Sequence, residues 1–86
     1  MKKTYKTTID GHDFEFSEED VKEAANTMNS GITERSKYYT KVTGKLYPVR
    51  QLFVTMIKRT GFVAPGVGPY RAIRVLRALG FEIIEV

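Results

Sequence analysis

The dipeptide Asp10-Gly11 constrains this chain more than any other feature. It stands between two runs of β-type alternation, residues 4–9 and 12–16, and it suits the type I′ turn, whose two central residues both take positive φ. A hairpin follows. Because side chains in a strand alternate between faces, the turn also sets the register, with Tyr5, Thr7 and Ile9 opposite Phe16, Phe14 and His12. One face of that hairpin is apolar, so a helix has to cover it.

The covering helix begins directly. Ser17 precedes Glu18-Glu19-Asp20, where its hydroxyl can cap free amides and the carboxylates meet the positive end of the helix dipole. Phe16 and Val21 have the spacing of a hydrophobic staple, Val21, Ala24, Ala25 and Met28 form the inner stripe, and Asn29-Ser30-Gly31 provides a stop. The pattern then repeats. Ser36 to Val42 and Lys45 to Tyr47 flank Thr43-Gly44 as a second hairpin, and Pro48 occupies a favourable first helical position. Val49, Leu52, Phe53, Met56 and Ile57 form an apolar stripe opposite Arg50, Gln51, Thr55 and Lys58, with an end near Gly61.

A glycine-rich stretch, residues 60–68, leads to Pro69-Tyr70 and a third helix that Gly80 closes. In it Ala72, Ile73, Val75, Leu76 and Leu79 face inward, while Arg71, Arg74 and Arg77 face out. Phe81 to Val86 has β composition and enough apolar surface to belong inside a sheet. The expected fold is a single α+β domain over residues 1–86, in the order ββαββααβ.

Of the 86 residues 42% are hydrophobic, enough for one core and not two, since a domain this small buries only about 60% of the surface its unfolded chain exposes. Cysteine is absent, which removes disulfides and thiolate metal sites and suits a reducing cytoplasm. No apolar run follows the first lysines or approaches the roughly 18 residues of a membrane span, so neither export nor a membrane partner is expected.

The net charge of +4 conceals a sharper division. Residues 1–30 carry four lysines against seven carboxylates, a net −3, whereas residues 31–86 carry ten lysines and arginines against three glutamates, a net +7. A positive region of this kind attracts polyanions and makes their binding sensitive to salt. A well-solvated surface rich in Lys and Arg is the plainer account of the same charge. The six acidic residues from Asp13 to Glu23 lack the alternating ligands and central glycine of a calcium loop and fit capping and solubility.

Catalytic machinery is poorly represented. His12 is the only histidine and lies beside a tight turn, and no HxxxH, paired-carboxylate or nucleophile–base spacing accompanies it. A turn or cross-strand role is expected for His12, and no enzyme activity, metal or cofactor is expected for the chain.

The most informative segment runs from Ala64 to Leu76. Two glycines flanking Val67 at a helix start, Gly66 and Gly68, let backbone amides approach a phosphate, and Arg71 and Arg74 add charge. An ordinary bend before a proline-initiated helix is the alternative. The stretch resembles the hairpin and second helix of the helix-hairpin-helix element of DNA glycosylases, although the loop from Gly61 to Gly68 is longer than that element has. The resemblance implies a grip on phosphates without sequence readout.

A broader likeness spans about residues 37–84. Tyr39 to Gln51, then Phe62, then Ala72 to Glu82, is similar to the amino-terminal modules of McrA-type HNH restriction endonucleases. That resemblance implies a DNA-engaging module; the metal-binding histidines of the nuclease half have no counterpart here.

These readings give an expected nucleic-acid surface, DNA over RNA, made by Arg71, Arg74, Arg77, Gly66 and Gly68 and extended by Lys41, Lys45, Arg50 and Lys58. Tyr38 and Tyr39 point to opposite faces of their strand, which leaves one of them exposed among Arg35, Lys37, Lys41 and Lys45, where it can stack on a base. The rival reading is a protein-interaction module or adaptor subunit whose acidic front and basic back meet partners or each other. A small enzyme or its inhibitor is the minor alternative.

Overall fold

The computed structural model describes residues 3–32, 36–62 and 67–86. Asp10 and Gly11 take φ of 51° and 79°, and the hairpin they close pairs β1 (Thr4–Ile9) with β2 (His12–Ser17). The register is the expected one, with Tyr5, Thr7 and Ile9 against Phe16, Phe14 and His12. The chain passes straight from β2 into α1 (Glu18–Asn26). Ser17 Oγ accepts from the Asp20 amide at 3.3 Å and the Ser17 amide donates to Asp20 Oδ2 at 2.7 Å, a reciprocal cap that satisfies two otherwise orphaned donors. Phe16 and Val21 are both buried, as a hydrophobic staple requires.

α1 ends earlier than its stop signal. The amide and the hydroxyl of Thr27 both donate to the Ala24 carbonyl, at 3.1 and 2.8 Å, which tightens the last turn and releases the chain before Asn29. Met28 therefore packs on the core from outside the helix. The Gly31 amide then donates to the Leu46 carbonyl at 2.9 Å, tying this segment to the second hairpin.

That hairpin joins β3 (Tyr38–Val42) and β4 (Lys45–Pro48) through Thr43 and Gly44, again both at positive φ. β3 starts two residues later than its sequence pattern predicts. Pro48 is not the first helical residue: its ψ of 127° is extended, so it closes β4 and caps α2 (Val49–Arg59). The five apolar positions expected to line α2 are all buried. α3 (Pro69–Ala78) has Pro69 at its first position, with Ala72, Ile73, Val75 and Leu76 buried. Its end is a Schellman motif: the Phe81 amide donates to Leu76 and the Gly80 amide to Arg77, with Gly80 at φ 93°.

β5 (Ile83–Glu85) pairs antiparallel with β3, giving the order β4-β3-β5. The closing strand thus joins a sheet, but at its edge and over three residues only. The buried Thr40 fixes it from the centre, donating its hydroxyl to the Glu82 carbonyl at 2.8 Å. The helices touch both sheets, and α2 packs against α1, α3, β3 and β4. On the hairpin side Phe16 meets Phe53 of α2 edge-on, with ring centroids 5.7 Å apart. The α+β class and element order agree with expectation, and the radius of gyration of 11.8 Å matches the roughly 12 Å of a packed domain this long.

Candidate nucleic-acid interface

The outer surface of α3 divides between two tasks. Arg71, Arg74 and Arg77 are all exposed, as the amphipathic pattern predicts. Arg71, however, lies toward the first hairpin, and its guanidinium donates to the Thr8 carbonyl at 2.7 Å and to Thr7 Oγ1 at 3.4 Å. Those acceptors are neutral, so Arg71 is anchored while keeping its charge. Among the described residues no carboxylate stands within ion-pair distance of Arg74 or Arg77. Tyr70, 73% exposed, sits one helical turn before Arg74 and two before Arg77, so the three share one stripe.

Arg50 links this stripe to α2. It follows the Pro48 cap, and its Nε donates to the Val67 carbonyl at 2.9 Å, immediately before the Gly68 cap of α3. Gly68 has φ −84°, and a side chain there would meet nothing within 4 Å, so its backbone faces open space. Gly66, the other glycine of the expected phosphate cradle, and Arg35 lie outside the described residues. Arg50 also borders two concavities. One, of about 330 Å3, has Lys37, Tyr38, Gln51 and Pro69 in its walls. The second, of about 370 Å3, has Lys58 and Met28. Lys58, Arg50, Tyr38 and Tyr70 are therefore successive parts of one surface.

Lys41 and Lys45 are not brought into it. They flank the Thr43-Gly44 turn, at the end of β3 opposite Tyr38. Arg59, the remaining basic residue of α2's last turn, is paired with Glu23 of α1 at 3.1 Å.

Neither strand tyrosine is exposed, contrary to the sequence expectation. Tyr39 is buried, its hydroxyl on the Ser36 carbonyl at 3.0 Å, and Tyr38 is half-buried. The exposed aromatic is Tyr70, whose ring lies 6.4 Å from that of Tyr38 at a tilt of 55°. Its spacing from Arg74 and Arg77 is a signal the sequence contains, but its contact with Tyr38 is not.

No protein-family model matches this chain, and no curated protein or solved structure matches it either.

Lys37 completes the surface. Its ammonium lies 3.2 Å from Glu85 and 5.9 Å from the Tyr38 ring centroid. The hydrogen bond and charge of Glu85 raise the lysine pKa above its ordinary value. The cation is therefore held through neutral and mildly alkaline pH, and whatever the pair adds to stability is lost only as pH climbs past the raised value.

A further concavity, about 530 Å3, lies elsewhere, over the first hairpin. Asp13 and Glu15 in its wall repel phosphate, and Lys6 there is paired with Glu15 at 3.8 Å. His12 pairs with Ile9 beside the turn, and its ring packs 4.5 Å from that of Phe62, which lies outside the hairpin. Among the described residues no cluster of three His, Asp or Glu could hold a metal, and no helix is long and apolar enough to cross a membrane.

Proposed function

We propose that this chain is a non-catalytic nucleic-acid-binding domain, DNA preferred over RNA, that holds backbone phosphates across α3 and the outer face of α2. The observation that carries the reading is the set of exposed cations Arg74, Arg77 and Lys58, which have no carboxylate within ion-pair distance among the described residues, with Arg50 beside Lys58 and bonded to Val67 ahead of α3. Uncompensated cations on a rigid face favour polyanions through counterion release. Arg71 contributes charge from its anchored position, and the backbone at Gly68 is open to a phosphate. Lys41 and Lys45 form a separate contact that a long nucleic acid reaches around the sheet.

Such contacts position a protein without reading sequence. The reading is tested by fluorescence anisotropy with labelled DNA and the Arg74→Ala/Arg77→Ala double variant. Both side chains are exposed, so the variant folds, and affinity is expected to fall about tenfold with a salt slope reduced by about two. Unchanged affinity in the double variant contradicts the reading. A concentration-dependent mass in light scattering without any DNA affinity supports an adaptor instead.

A further inference from the structure

The nucleic-acid reading leaves open which form of the strand is held, and the tyrosine pair answers that question. Tyr70 is 73% exposed, and it is not isolated. It stands against Tyr38 at 6.4 Å, beside a concavity walled by Arg50, Gln51 and Pro69, with Arg74 one turn along its own helix. We propose that Tyr70, backed by Tyr38, is a stacking platform for an unpaired nucleobase, and that the domain therefore binds single-stranded nucleic acid in preference to duplex.

The proposal rests on the reading above and follows from geometry. In a duplex every base face is covered by its neighbours, so a protruding ring gains nothing from it. An unpaired base offers a free face to Tyr70, while the phosphates on either side of it meet Arg74 and Arg50. The 55° tilt between the tyrosines excludes a parallel sandwich, so the base lies on the open side of Tyr70 and Tyr38 holds the ring from behind. Gln51, in the same wall, is positioned to donate or accept at a base edge. The Lys37–Glu85 pair is close to neutral and sets the Tyr38 ring without adding net charge.

The test compares three labelled ligands of equal phosphate number at low salt: an oligothymidylate, a blunt duplex, and a strand of abasic sites. The expected order places the oligothymidylate at least tenfold tighter than the other two. Tyr70→Ala is expected to remove about tenfold of its affinity and none of the affinity for duplex, and Tyr70→Phe to retain binding. The chain has five tyrosines and no tryptophan, so stacking also quenches intrinsic tyrosine emission, a signal that disappears in Tyr70→Ala. Equal binding of all three ligands, with Tyr70→Ala unchanged, overturns the platform and leaves the phosphate-binding function standing. No binding of any of the three overturns both.

Discussion

Arg71 and Arg74 illustrate how two identical side chains three residues apart acquire different work. Both lie on the exposed face of α3, but among the described residues only Arg71 of the two reaches an acceptor, the Thr8 carbonyl 63 residues away in sequence. Its removal takes a hydrogen bond from a charged donor and frees the edge of the first hairpin. Arg71→Ala is expected to lower stability by about 1 kcal/mol, read as a shifted urea midpoint with the same m value, whereas Arg74→Ala leaves the midpoint unchanged. Equal midpoints in both variants would show that the anchor contributes nothing in solution. The periodicity of the sequence placed both arginines outside correctly, but it could not assign the anchor, because a contact across 63 residues leaves no trace in local spacing.

Elements were legible where local chemistry decides them. Asp10-Gly11 fixed a turn and a register, Ser17 fixed a helix start, and the stripes of α2 and α3 buried the residues their spacing selects. Boundaries failed where two local signals compete. Thr27 captured the Ala24 carbonyl before the glycine signal acted, and Pro48, whose φ of −61° suits strand end and helix alike, was taken by β4. The Ser17 cap gives a direct check at this scale. Ser17→Ala removes the hydroxyl that accepts from the Asp20 amide, keeps the Ser17 amide's bond to Asp20 Oδ2, and is expected to cost about 1 kcal/mol, seen as a lower melting temperature. An unchanged melting temperature would mean that α1 is held by the burial of Val21, Ala24 and Ala25 alone.

At the scale of the molecule, the sequence showed an acidic front and a basic back but not how the back is arranged. The fold pairs Glu23 with Arg59 and Glu85 with Lys37, uses Asp20 as a cap, and leaves Arg74, Arg77 and Lys58 with no carboxylate partner among the described residues. It also separates Lys41 and Lys45 from the rest and brings Tyr38 beside Tyr70 through the β3 and α3 positions. These outcomes depend on which elements pack together, which is why charge counting alone could not draw the surface. The central claim is that this surface binds phosphates, and the salt dependence of wild-type affinity for DNA tests it most directly. With about four phosphates engaged, the slope of log K against log salt is predicted to lie between about −2 and −4 from about 50 to 200 mM. A slope near zero, or no measurable binding at the low-salt end, would contradict it.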